Sequence, residues 1–111
     1  MDARLPAHVE VSGLVRAVEA AGGFAMVIQR GERDAGTVLL VTMDRGSSAT
    51  LWERMPQLDG SRTFTATRHQ DIENPTEFTD YLERRQRSDP DCWVVELDIA
   101  GAERFIDSRE P

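Results

Sequence analysis

The sequence predicts an α+β fold: a five-stranded, mostly antiparallel sheet (a four-strand meander plus one strand after a helix), with two main helices on one face and a short C-terminal helix. Three observations carry this. Val11, Leu14, Val15 and Val18 recur at helical spacing. Four period-two stretches then follow between residues 24 and 68, joined by short polar turns. The best-patterned strand, residues 92–99, comes only after a second helical segment.

Residues 7–21 read as the first helix. Pro6 suits an N1 position, Ala21 extends the stripe, and Gly22-Gly23 stops it. Phe24, Met26 and Ile28 alternate with Ala25, Val27 and Gln29 in a first strand. Residues 37–43 are apolar on both sides, which marks a central strand. Thr50 to Met55 makes a third strand, with Leu51, Glu53 and Met55 on one side and Thr50, Trp52 and Arg54 on the other. In the fourth, Arg62 to Arg68, Phe64 and Ala66 face inward while Thr63, Thr65 and Thr67 form an outer row.

Asn74, Pro75 and Glu77 are placed as N-cap, N1 and capping-box residues of the second helix, whose inner stripe is Phe78, Tyr81 and Leu82. Asp89-Pro90 ends it. Trp93, Val95, Leu97 and Ile99 then give the last strand an apolar side, opposite Cys92, Val94, Glu96 and Asp98. The connection from His69 to Asp91 is long enough for a crossover, so this strand can lie parallel to a neighbour. Ala102 to Ile106 is a short final helix. No repeat or linker divides residues 1–111, so a single domain is expected.

Composition narrows the function. The formal net charge is −7, and most of it lies late: residues 1–55 hold six arginines against seven acids, residues 56–111 seven against thirteen. An acidic surface repels phosphate backbones, so nucleic acid is not an expected partner. All thirteen basic residues are arginine. That excludes Schiff-base chemistry and a phosphate-loop lysine. One cysteine rules out an internal disulfide and fits a reducing, cytoplasmic location. The first six residues lack signal-peptide character, and no apolar run reaches the ~20 residues of a membrane span.

The first candidate binding segment is residues 52–62, where Trp52, Glu53, Arg54, Asp59 and Arg62 share one strand-loop-strand unit. Guanidinium forks suit carboxylates and phosphates, and loops carry binding residues more often than the elements they join. The plainer reading, which is preferred, has Arg54, Asp59 and Arg62 paired among themselves while Met55 and Leu58 plug the core. A second candidate is a carboxylate cluster. Glu96 and Asp98 lie two apart on one strand side, and Glu53 joins them if its strand runs alongside. Arginine-paired carboxylates are preferred there.

His8 and His69 have no ligand-spaced partners, so neither a metal nor another cofactor is expected. Cys92 reads as an inert, half-buried thiol, its pKa raised by acidic neighbours. Arg84, Arg85 and Arg87 complement the C-terminal end of the second helix dipole.

Several stretches carry a resemblance over almost the full length: Arg4-Leu5-Pro6 with Val9-Glu10-Val11; Gly22-Gly23-Phe24; residues 53–62; Gln70 to Asn74; Asp89-Pro90-Asp91 with residues 93–98; and Ala102 to Ile106. In these the chain resembles a small bacterial family, domain of unknown function 1491. The resemblance implies a small soluble bacterial protein and supplies no catalytic residues. The function expected is therefore a small acidic cytoplasmic binding or adaptor protein without catalytic activity. Its partner would be another protein, or a second copy met through a sheet face carrying Trp52, Thr63, Thr65 and Thr67; no membrane is involved. The alternative is a metal-dependent hydrolase that holds its ion with Glu53, Glu96 and Asp98.

Overall fold

In the computed structural model, which describes residues 5–107, the element order is α1 (Ala7–Ala20), β1 (Phe24–Gln29), β2 (Val38–Asp44), β3 (Ser47–Pro56), β4 (Arg62–His69), α2 (Pro75–Ser88), β5 (Trp93–Asp98) and α3 (Glu103–Asp107). The N-terminal residues 1–4, read above for leader character, lie outside the described residues. The α+β class and the five-stranded, mostly antiparallel sheet are as the sequence predicts. Among the described residues three neighbouring strand pairs are antiparallel, and β2 with β5 is parallel.

The strand order is β1-β5-β2-β3-β4. The meander is therefore β2-β3-β4 alone, and β1 stands apart from β2 with β5 between them. The reason lies in residues 30–37, which do not turn tightly but wrap around the start of β5. There the Glu32 amide donates to the Asp91 carbonyl at 2.8 Å, and the Trp93 amide to the Thr37 carbonyl at 2.7 Å. The Trp93 indole N–H donates to the Glu32 carbonyl at 2.7 Å. Gly31 permits the close approach, since a Cβ there would run into the Asp91 carbonyl oxygen.

The two long helices do not share a face. Ala7, Val11, Leu14 and Val18 of α1 pack with Val38, Leu40, Trp93, Val95 and Leu97, and Ile106 of α3 joins the same core. Phe78 of α2 packs with Leu39, Val41, Ala49, Leu51, Cys92 and Val94 on the other side. Both β2 and β5 are apolar at successive positions, and alternation turns successive side chains to opposite faces. A strand of that kind needs cover on both faces, and one helix goes to each.

At the start of α1, Pro6 is the N-cap rather than N1. The Ala7 and His8 amides are taken by the carbonyls of Asp34 and Arg33, each at 2.9 Å, so backbone replaces a side-chain cap. Pro75 does begin α2 behind Asn74, but the Asn74 side chain makes no cap bond to the helix backbone. It meets the Glu77 carboxylate at 3.4 Å instead. Between β2 and β3 the chain turns on Arg45 and Gly46, both at positive φ (54° and 75°), the backbone of a two-residue primed hairpin.

Candidate functional site

The five residues expected to form a binding unit are divided by the sheet. Trp52 packs into the α1-side core, and its indole N–H donates to Thr42 Oγ1 at 2.9 Å. Arg54 turns to the same side and makes an ion pair with Glu10 of α1; its guanidinium lies 4.5 Å from the centre of the Phe64 ring. Glu53 points to the opposite face. Asp59 holds the hairpin loop, accepting from the Ser61 amide at 2.9 Å and the Ser61 hydroxyl at 2.6 Å. The Ser61 hydroxyl and amide lower its pKa. Arg62 donates to the Arg54 carbonyl at 3.4 Å. Leu58 does not plug the core but stands fully exposed at the loop tip.

Glu10 is a residue that the sequence reading passed over. Only 5 % exposed, it bonds Arg54 through Oε2, while Oε1 has no hydrogen-bond partner among the described residues. A signal was available: position 10 falls three residues after Ala7 and four before Leu14, inside the buried stripe of α1. An acid on an apolar stripe requires a cation across from it.

Glu53 reaches Arg85 of α2 at 2.8 Å and accepts from Thr67 at 2.6 Å. Partial burial pushes its pKa up, but Thr67, Arg85 and the Arg68 charge outweigh that and hold it below the ordinary carboxylate value. Arg85 also donates to the Tyr81 hydroxyl at 3.1 Å, and Arg68 stacks on the Tyr81 ring at 3.7 Å. The ring and guanidinium groups thus lock α2 to β3 and β4. Thr63 and Thr65 pair with Met55 and Glu53, so the threonine row shares the α2 side and not the side of Trp52.

The three candidate carboxylates do not converge. Glu96 lies beside Val41 of β2, whose other partner is Leu51, which leaves Glu53 two strands away and two residues along. At ~4.8 Å per strand and ~3.3 Å per residue the separation is about 12 Å. Among the described residues no group of three or more His, Cys, Asp and Glu is arranged to hold a metal ion. Nor do arginine side chains hold the acidic end of β5. Asp98 accepts from the Arg45 and Gly46 amides at 2.6 and 2.9 Å, fastening the β2–β3 turn. Glu96 has its pKa raised by partial burial and by Asp98.

His69 bonds Thr50 Oγ1 at 3.2 Å within the sheet, and His8 meets the Arg33 carbonyl at 3.1 Å. Neither adjoins the other. Cys92 is buried against α2; burial and the nearby Asp89 push its thiol pKa up, which disfavours the thiolate. Arg84, Arg85 and Arg87 line an open depression of ~510 Å³ with Tyr81 and Ser88. It sits at the carbonyl end of α2, where the helix dipole repels anions.

The remaining feature is an uncovered surface. On edge strand β1, Phe24 is 78 % exposed, Met26 61 % and Ile28 38 %. Phe24 lies opposite Asp98 and Met26 opposite Glu96, so both belong to the α2-side face. Alternation along the first strand was legible in the sequence; that nothing in the described chain covers this side was not.

The chain is thus a small α+β domain whose mixed sheet is covered by α1 on one face and by α2 over part of the other. It belongs to the DUF1491 family (Protein of unknown function), whose profile matches residues 5–107. A crystal structure of a DUF1491 family protein from Caulobacter crescentus CB15 is 33 % identical, with a TM-score of 0.80 over 97 % of this chain and 98 % of that one. An NMR structure of a DUF1491 family protein from Caulobacter crescentus CB15 gives 0.78 at 33 % identity, covering 96 % and 94 %. The solution structure of protein Atu0922 from A. tumefaciens gives 0.74 at 32 % identity, covering 93 % and 92 %. Comparison with curated proteins gives no match. No described helix is long and apolar enough to cross a membrane.

Proposed function

We propose that this chain is a cytoplasmic protein-binding or adaptor domain that acts through the bare β1 side of its sheet, without catalysis. The observation that carries the reading is the exposure of Phe24 and Met26 side by side on an edge strand. Exposed large apolar groups in one patch mark interaction surfaces more often than isolated ones do. An unpaired strand edge adds a row of free backbone donors and acceptors. The other candidates support this by what occupies them: Arg54 is spent on Glu10, Glu53 on Arg85, and Asp98 on the β2–β3 turn.

A photo-crosslinking residue at position 26 tests the reading in the native cell, with position 83 on the solvent side of α2 as control. The expected result is a specific adduct from position 26 whose purified partner binds the chain at least about tenfold more weakly after Met26→Asp. A partner bound equally well by both forms would remove the β1 side from consideration.

A further inference from the structure

On the α2 side, the sheet carries two cross-strand rows near β1: Phe24–Asp98–Met43 and Met26–Glu96–Val41. An α-helix is ~10 Å across and adjacent strands lie ~4.8 Å apart, so one helix covers about two strands. Phe78, Tyr81 and Leu82 of α2 rest on β2, β3 and the first part of β5. What stays open is a strip over β1 and the end of β5, as wide as a second helix lying the usual ~8–10 Å from α2.

We infer that this strip seats an amphipathic helix from a partner protein, with apolar residues at i and i+4 over Met26 and Phe24 and an arginine or lysine over Glu96. This rests on the reading of the β1 side as a docking surface and names its occupant. The spacing fits. Two residues along a strand span ~6.6 Å and four along a helix ~6 Å.

The charge selects the occupant. Glu96 sits between Met26 and Val41 with Asp98 as its neighbour along the strand, and no hydrogen bond or ion pair engages its carboxylate among the described residues. Burial and Asp98 already act against its ionised form, so a cation placed above it gains attraction that water supplies poorly at that spot. A second copy of the chain fits less well. It carries a formal charge of −7 and would bring another acidic row to an acidic row. A strand added to the edge of β1 would satisfy its backbone but leave the side chains of Phe24 and Met26 to solvent on their outer face.

The test is an NMR titration of the full chain with an 18-residue helical peptide bearing leucines at i, i+4 spacing and arginines along one flank. A second peptide carries glutamate in place of each arginine. The expected result is saturable shifts confined to residues 24–28 and 94–98, with the arginine peptide bound at least about fivefold more tightly. Glu96→Gln should erase that preference, and Met26→Asp should abolish the shifts while the remaining spectrum stays folded. Equal binding of the two peptides, shifts centred elsewhere, or none at all would overturn the inference. Sedimentation of the free chain separates the two levels. Self-association lost on Met26→Asp would replace the helix by a second copy and leave the docking reading standing. A strict monomer that ignores both peptides and yields no adduct from position 26 would end both.

Discussion

Glu10 on α1 and Arg54 on β3 form a buried ion pair that ties the first helix to the third strand across the sheet core. Their side chains are only 7 % and 13 % exposed, and the Arg54 guanidinium also stacks on Phe64. A pair of this kind is evidence of position more than of stability, because desolvation offsets much of the Coulomb attraction.

Removing one member should therefore hurt far more than removing both. Arg54→Met leaves the Glu10 carboxylate buried with neither oxygen bonded, and should destabilise the fold by about 3–5 kcal/mol in urea unfolding at pH 7. Glu10→Leu combined with Arg54→Met should recover most of that loss. A double variant as unstable as Arg54→Met alone would show that Arg54 acts through its other contacts and not through Glu10.

The Glu53–Arg85 contact predicts a pH dependence. Because the folded-state pKa of Glu53 is depressed, its stabilising contribution is present above the unfolded value of about 4.3 and fades as pH falls through the lower folded value. Glu53→Gln should thus lower stability by about 0.5–1 kcal/mol at pH 7. The difference between variant and parent should shrink as the pH drops below about 4. Thermal unfolding at pH 7, 5 and 3.5 checks this; a constant difference across the series would mean that Thr67 and packing, rather than charge, hold Glu53.

Gly31 offers a backbone prediction. A Cβ at this position would overlap the Asp91 carbonyl oxygen and come within 2.6 Å of the Cys92 carbonyl carbon, both of them backbone atoms that cannot swing aside. Gly31→Ala should cost about 2–4 kcal/mol, and its amide-exchange protection should fall first in residues 91–94. Gly46→Ala is the contrasting control. Nothing lies within 4 Å of its added Cβ, so only the positive φ is penalised, at about 1 kcal/mol.

Element existence was readable in the sequence because each element states its own period: Leu14 and Val18 for α1, Thr63 to Thr67 for β4, Trp93 to Leu97 for β5. Arrangement was less readable, although two cues were present. Residues 30–37 are too long for a tight hairpin, and they are the segment that encloses the start of β5. Val38 to Val41 and Cys92 to Val95 are apolar at every position, which calls for a helix on each face rather than two on one. At the candidate site, residue types misled. Trp52 and Arg54 look exposed and functional in a polar hairpin, yet odd and even positions of β3 go to opposite faces, and only the partner elements decide which of them meet solvent.

The place of β5 has a consequence for how the chain is made. On the ribosome, β1 and β2 emerge early but share no edge; the strand that joins them ends at Asp98. Until it arrives, Ala25 and Val27 have no strand to pair with, and the β2-β3-β4 meander is an open-sided sheet. Pairing of β1 into the sheet thus waits for β5, although α1 can already rest on Val38 and Leu40 of β2. A chain stopped near residue 90 should hold the meander with α2 while β1 stays unpaired, because the parallel pairing of β2 with β5 spans more than fifty residues of sequence and forms slowly.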